Sequence, residues 1–313
     1  MKALVTGGAG FIGSHLVDRL IELGLEVVVV DNLSKGKKEN VNKNAQLIVT
    51  DIRDEKSIEN IFKEYSFDYV FHLAAQASVS ASVKNPVEDA DINIVGSLIL
   101  IKNSIKYGVK KLIFSSTGGA IYGEEVDVFP TPETICPFPI SPYGIAKLSV
   151  EHYLRFAKKE FGLNYTVLRY ANVYGPRQDP YGEAGVVAIF TSRMINGEDV
   201  IINGDGEYVR DYIYVSDVVD ANLRAMKKGD GLEINIGTSR GTTVNQLFSY
   251  LKKITGYDKE PIYGPPRKGD IRMSLLCYTR ANEELKWKPK IELEKGLRLT
   301  VEWFKRNFKA KDV

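Results

Sequence analysis

Short runs of Val, Ile and Leu recur through the first 170 residues, each set off from the next by turns or helical-period stretches. The runs are Lys2–Thr6, Glu26–Val30, Gln46–Val49, Tyr69–Leu73, Lys111–Ser115 and Tyr165–Arg169; helices are predicted near 12–23, 55–65, 91–107 and 142–161. Runs this apolar, without polar alternation, read as strands covered on both faces, as in a parallel sheet. Strand–helix alternation then points to the α/β class with a doubly wound parallel sheet. After about residue 172 the texture changes. The stretch Tyr174–Gly185 is rich in glycine and carries Pro176 and Pro180, and turn-forming segments follow at 203–206 and 264–266. Two regions are expected: 1–172, and a smaller, mainly substrate-binding 173–313 that interleaves with the sheet. Open α/β sheets bind ligands beyond their carboxyl edge, so the site is expected between the two.

The first strand runs into Gly7-Gly8-Ala9-Gly10-Phe11-Ile12-Gly13, which opens a helix. Glycines here allow a tight turn and close approach of a pyrophosphate, whose charge meets the amide-rich helix N-terminus. Alone such a loop is also an ordinary turn, but the strand before and helix after make a Rossmann dinucleotide site the better reading. The second strand ends at Asp31, 18 residues beyond Gly13. A carboxylate there accepts from both ribose hydroxyls and repels a 2′-phosphate, which favours NAD over NADP. Asp51 and Ile52 close the third strand, where they can meet the adenine edge. His72-Leu73-Ala74-Ala75-Gln76 closes the fourth, its small residues allowing close approach of the cofactor; His72 itself is expected to pack rather than to react.

Tyr143 and Lys147 stand four apart on a helical segment behind Ser141-Pro142, and residues four apart share a helix face. A tyrosine phenol has a pKa of about 10, so service as a base near neutrality asks for about 4 kcal/mol. One positive charge at about 4–5 Å supplies about 3–4 kcal/mol at an effective dielectric of 20. Lys147 and a nicotinium ring can together meet that demand, before burial works against them. Tyr-x-x-x-Lys also arises by chance in a chain with 17 tyrosines. Tyr107 and Lys111 form such a match, but they straddle Gly108 and a strand start. Thr117 ends the run Ser115-Ser116-Thr117 at the same carboxyl edge, where its hydroxyl can relay or orient a proton, or simply cap the strand.

Composition removes several other classes. Forty-two Lys+Arg against 40 Asp+Glu leave a net charge of +2, and the basic doublets are scattered, so no nucleic-acid or membrane footprint appears. No apolar run approaches the ~20 residues of a membrane helix. Two cysteines, Cys136 and Cys277, and three histidines are too few and too spread for a disulfide framework or a metal site. Met1-Lys2 leads directly into the first strand, leaving no room for a signal peptide. The expectation is a cytoplasmic protein.

With these pieces in place the chain resembles the extended short-chain dehydrogenase/reductases, and among them the UDP-glucose 4-epimerases. The resemblance runs along nearly the whole chain: Thr6–Gly13, Asp31-Asn32-Leu33-Ser34-Lys35-Gly36, His72–Gln76, Asn93-Ile94-Val95-Gly96, Tyr143-Gly144-Ile145-Ala146-Lys147, Leu168–Pro176, Arg210–Val215 and Trp287-Lys288-Pro289. It implies catalysis by Tyr143, Lys147 and Thr117. It implies NAD contacts at Gly7, Gly10, Phe11, Ile12, Gly13, Asp31, Asn32, Ser34, Gly36, Asp51, Ile52, Leu73, Ala74, Ala75, Gln76, Asn93, Tyr143 and Lys147. It implies UDP-hexose contacts at Thr117, Tyr143, Asn172, Val186, Val187, Asn203, Arg210, Arg267, Asp270 and Ser274. A homodimer built on the helices near 91–107 and 142–161 follows from the same resemblance.

The rival readings are a UDP-glucuronate or UDP-N-acetylglucosamine 4-epimerase, a nucleotide-sugar 4,6-dehydratase, and a non-catalytic NAD-binding scaffold. In the dehydratases Asp-Glu follows the strand-end threonine; here Gly118-Gly119 follows Thr117, which removes the carboxylates that elimination needs as acid and base. A scaffold relative usually lacks the tyrosine or the lysine, and both are present. Ser274 stands where relatives carry either a bulky aromatic or a small residue, so room beside the sugar's C2 is expected.

Overall fold

The structure is a computed structural model that describes residues 1–181, 185–266 and 271–307. The strands are β1 (Lys2–Thr6), β2 (Glu26–Asp31), β3 (Gln46–Val49), β4 (Tyr69–His72), β5 (Lys111–Thr117), β6 (Tyr165–Tyr170), β7 (Asn172–Tyr174), β8 (Ile201–Asn203), β9 (Val209–Tyr214), β10 (Leu232–Ile236), β11 (Gly241–Thr243), β12 (Ile262–Gly264) and β13 (Met273–Ser274). The helices are α1 (Phe11–Glu22), α2 (Glu55–Tyr65), α3 (Val79–Lys84), α4 (Pro86–Ala90), α5 (Gly96–Lys106), α6 (Pro142–Phe161), α7 (Val186–Ile195), α8 (Val215–Ala225), α9 (Val244–Thr255), α10 (Thr279–Leu285) and α11 (Leu293–Asn307).

Seven parallel strands form the central sheet in the order β10-β6-β5-β4-β1-β2-β3. The order reverses between β1 and β4, whose last residues Thr6 and His72 are register partners. Doubly wound sheets bind ligands at this switch point. Alternate side chains of one strand feed opposite cores. Ala3, Val5, Val27, Val29 and Phe71 pack with α1 and α8, while Leu4, Val28, Val30, Val70 and Phe114 pack beneath α2, α5 and α6. This is why the runs read as continuously apolar.

The strand over 165–169 and the other five expected strands are present, several extended by a residue or two at the carboxyl end. Three features differ from expectation. The helix near 91–107 is two pieces, a π-helical turn over Asp91–Val95 and then α5. The short helices α3 and α4 precede it; Ser78 and Asn85 cap them by accepting from Ala81 N and Glu88 N. The seventh strand, β10, comes from the C-terminal region and pairs with β6. Its sequence Leu-Glu-Ile-Asn-Ile hides a buried strand, because Glu233 and Asn235 are satisfied only by distant groups: Arg155 Nε and the Tyr165 hydroxyl on Glu233, the Tyr122 hydroxyl on Asn235.

The smaller region centres on β9, flanked by β7, β11 and β13, with the separate pair β8–β12. Ser274 of β13 lies in register with Arg210 of β9.

Candidate active site

The turn between β1 and α1 is closed by contacts that only glycine permits. Gly7 has φ +73°, and a Cβ there would stand 2.7 Å from Ala74 N; one at Gly13 would stand 2.2 Å from Gly7 O. Gly10 caps α1 without any side-chain acceptor, so the first-turn N–H groups around Phe11 and Ile12 meet no capping side chain. The Asp31 carboxylate accepts from Ala9 N at 3.0 Å and Leu33 N at 2.9 Å. Each oxygen thereby keeps further acceptor capacity. A Cβ on Gly36 would come within 2.8 Å of that carboxylate. Asn32 donates to Asp51 and accepts from Ser34 N, which folds the loop back over the turn.

Asp51 also accepts two hydrogen bonds from the Arg53 guanidinium, each 2.9 Å, and Arg53 continues to Asp91 at 2.9 Å. These bonds hold the Asp51 carboxyl well below the usual carboxylate range. Ile52 is buried beneath the π-helical turn, where Gly96 leaves it room.

Leu73, Ala74 and Ala75 follow β4. Leu73 N and Ala74 N donate to Thr6, to its carbonyl and its hydroxyl respectively. Gln76 is clamped by Asn93, whose amide accepts from Gln76 N and donates to Gln76 O, both at 2.9 Å. A π-turn spends one extra residue per turn, and such turns often mark functional sites. His72 is buried as expected. The Ser97 hydroxyl donates to Asn93 O, so His72 Nε2 must donate to Ser97 Oγ at 2.8 Å and Nδ1 must accept from Thr6 Oγ1. Both ring nitrogens are used, and burial holds the imidazole neutral, its pKa pressed down to about 3.

α6 starts at a Ser141 cap with Pro142 in its first turn. Tyr143, Lys147 and Glu151 then fall at four-residue intervals on one face, opposite the last three residues of β5. Tyr143 faces Thr117, whose hydroxyl draws the phenol's pKa down; Lys147 Nζ donates to Ser115 O at 2.9 Å; the Ser116 hydroxyl donates to Glu151 at 2.6 Å. Lys147 Nζ lies 4.7 Å from the Phe114 ring and 5.9 Å from the Tyr143 ring. The ammonium thus stands beside the phenol, as the spacing predicts. The expected lowering of the phenol's pKa does not follow from the chain alone: burial pushes Tyr143 up to about 12, with only the Thr117 hydroxyl acting against it. The same burial brings Lys147 down to about 8.

On the substrate side the expected residues are less uniform. Asn172 is exposed at the start of β7, Asn203 ends β8, and Arg210 lies beside the Tyr208 ring. Ser274 Oγ and Thr117 Oγ1 approach the same point near Gly119, 3.9 and 4.0 Å from where its Cβ would stand. The side chain of Val187 is buried in the core at the start of α7, so a contact there falls to Val186 and the backbone. Arg267 and Asp270 lie outside the described residues.

Sequence reading missed the shell behind this row. Arg169 pairs with Glu151 through Nε at 3.1 Å and Nη2 at 2.6 Å, both residues fully buried, and Arg169 Nη1 donates to the Tyr122 hydroxyl. The third step of the 143/147/151 spacing was a visible signal for Glu151. Arg169 and Tyr122 are far away in sequence and carry none. Asp89 is buried on α4, accepting from Asn93 and Gln76.

The chain is similar over nearly its full length to several UDP-glucose 4-epimerases. A protein of Methanocaldococcus jannaschii described as a putative UDP-glucose 4-epimerase is 45% identical, over 97% of this chain and 98% of its own. The UDP-glucose 4-epimerase of Thermotoga maritima, solved with UDP-glucose, superimposes with a TM-score of 0.98 at 69% identity, covering 99% of this chain and all of that one. The Thermus thermophilus enzyme, solved with NAD, gives 0.93 at 45% identity, over 97% and 99% of the two chains. Residues 3–237 match the model of a single family. With the glycine turn, the Tyr143–Lys147 face and this match in agreement, the chain belongs to the NAD dependent epimerase/dehydratase family.

Proposed function

We propose that the chain is an NAD-dependent isomerase that epimerises C4 of UDP-glucose and UDP-galactose through a 4-keto sugar. The observation that supports this reading is the α6 row, in which the Lys147 ammonium donates to the Ser115 carbonyl and stands 5.9 Å from the ring of Tyr143. The residues fit the cofactor. The glycine turn is kept clear of side chains, α1 opens with uncapped amides for a pyrophosphate, and Asp31 retains acceptor capacity for a ribose. Gly7, Gly10, Phe11, Ile12, Gly13, Asp31, Asn32, Ser34, Gly36, Asp51, Ile52, Leu73–Gln76, Asn93 and Lys147 would hold it, within the region 1–172. When bound, NAD supplies the acceptor and donor of the C4 hydride and a positive ring.

Tyr143 accepts the proton of the sugar 4-hydroxyl as the C4–H bond breaks and, once the keto sugar has turned to present its other face, returns that proton to the C4 oxygen. Lys147 offsets the phenolate charge, and Thr117 orients the exchanged proton. Region 173–313 mainly binds the nucleotide sugar, with Asn172, Val186, the Val187 backbone, Asn203, Arg210, Ser274 and, outside the described residues, Arg267 and Asp270 as proposed contacts. A guanidinium such as that of Arg210 suits a diphosphate. The loop after Thr117 argues against elimination: Gly118-Gly119 offers no carboxylate as acid or base, and Leu276 packs to within 2.2 Å of where a Gly118 side chain would begin.

The small Ser274 beside Thr117 favours a second substrate class, UDP-sugars N-acetylated at C2; Ser274→Tyr should abolish their turnover and leave UDP-glucose turnover within a few fold. A cytoplasmic homodimer is also proposed. It is supported by two unpaired cysteines and by an apolar face running from Val83 and Val87 on α3 and α4 to Ile145 and Phe156 on α6. α5 and the π-helical turn before it pack beside α6, the pair that the expected bundle draws from each protomer. Among the described residues no helix is long and apolar enough to cross a membrane.

The direct test is incubation with UDP-galactose, followed by chromatography for UDP-glucose. Tyr143→Phe should eliminate turnover while bound NAD remains, and normal turnover in that variant would refute the assignment.

A further inference from the structure

Asp89 is a buried carboxylate that the mechanism above leaves idle, and its surroundings are unusual. It is 1% exposed. One oxygen, Oδ1, accepts from the Gln76 amide at 2.7 Å and the Asn93 amide at 2.9 Å, both neutral donors. The other, Oδ2, is buried with no hydrogen-bond partner. A buried charge is retained at a cost unless something in its environment needs it. α4, which carries Asp89, packs against α6, which carries Tyr143 and Lys147.

Two buried carboxylates act on the Lys147 ammonium: Asp89 from α4, and Glu151 from one turn further along α6. Glu151 is already matched by the Arg169 guanidinium. Asp89 is hydrogen-bonded only by amides. The remaining titratable neighbour is His72 of β4, which is neutral and tied to Thr6 and Ser97. Asp89 is therefore the unmatched negative charge of this cluster. It also acts on Tyr143, where it opposes the phenolate.

Resting on the epimerase reading, we infer that Asp89 is a positioning residue whose charge, fixed by Gln76 and Asn93, keeps Lys147 protonated in its buried site and sets the pH window of the reaction. The working enzyme needs Tyr143 ionised and Lys147 charged. Where the positive ring that bound NAD would supply brings the phenol below the ammonium, the acid limb of the rate profile follows the phenol and the alkaline limb follows the ammonium. Removing the Asp89 charge withdraws support from the ammonium and repulsion from the phenolate. Both pKa values fall, and the whole bell slides toward acid.

The test is Asp89→Asn, which retains an oxygen for Gln76 and Asn93. Turnover of UDP-galactose is followed across pH in wild type and variant, with bound NAD measured from the absorbance of the denatured protein. Both limbs of kcat are expected to move down by about one pH unit, the size of effect one nearby charge has on a buried group. NAD content should match wild type, because the amide clamp is preserved. A profile reduced in height with both limbs in place would assign Asp89 to packing and overturn the inference, as would an alkaline limb that moves upward. Should Asp89→Asn not fold, Asp89→Ser removes the same charge in a smaller volume and is read on the same limbs. A wild-type enzyme without C4-epimerase activity would overturn the underlying reading instead, so the two failures are told apart by the wild-type profile.

Discussion

Replacing Lys147 with Met isolates the electrostatic part of the proposed chemistry. The variant loses the ammonium that stands 4.7 Å from the Phe114 ring and 5.9 Å from the Tyr143 ring. At that distance, with an effective dielectric of 20, one unit charge stabilises a phenolate by about 3 kcal/mol. That corresponds to about two pH units on the phenol. Burial already pushes Tyr143 up to about 12, so the site has little margin to lose. The acid limb of kcat should therefore move up by about two pH units, and turnover on its slope should fall about 100-fold. The assay is the initial rate of UDP-galactose conversion from about pH 6 to pH 10 with NAD added in excess and its binding checked by absorbance. An acid limb left in place, in a variant that still binds NAD, would refute the charge argument however low the rate.

Three further outcomes test the scaffold. Arg169→Met leaves Glu151 buried without its cation and should cost about 3–5 kcal/mol in denaturant unfolding, whereas adding Glu151→Leu should restore most of it. Gly13→Ala sets a methyl 2.2 Å from Gly7 O and so must displace the pyrophosphate turn; the purified variant should carry much less NAD than wild type. His72 has a pKa near 3 when folded against an ordinary 6.5, so the unfolded chain takes up a proton that the native state refuses. Its contribution to stability is complete above pH 6.5 and shrinks as pH falls toward 3. Thermal midpoints measured from neutral pH to pH 4.5 should decline, and His72→Gln should flatten that decline.

Much of this protein is written locally. The six N-terminal strands and the long helices are legible because a strand buried on both faces needs an uninterrupted apolar run, and each such run carries its own signal. The glycine turn, Asp31 and the Tyr143–Lys147 step are equally local, since each depends on spacing within one strand–turn–helix unit. What sequence left hidden depends on partners far along the chain. Strand β10 contains Glu233 and Asn235, which are tolerated in a sheet only because Arg155, Tyr165 and Tyr122 meet them there. The side chain of Val187 is buried by the packing of α7, which leaves its backbone as the part that could meet a ligand.

Charge balance was the least visible property. Neighbours in sequence announce that Lys147 lies near Tyr143, but the pKa of each is set by how deeply the fold encloses them and by which carboxylates it leaves unmatched. Sequence by itself determined the sheet, the glycine turn and the shared face of Tyr143 and Lys147, because these follow from short-range periodicity and backbone freedom. Tertiary structure alone decided their protonation, through the burial that raises Tyr143 and lowers Lys147 and through Asp89 and Glu151, because desolvation and Coulomb energy depend on distances in space that spacing along the chain does not encode.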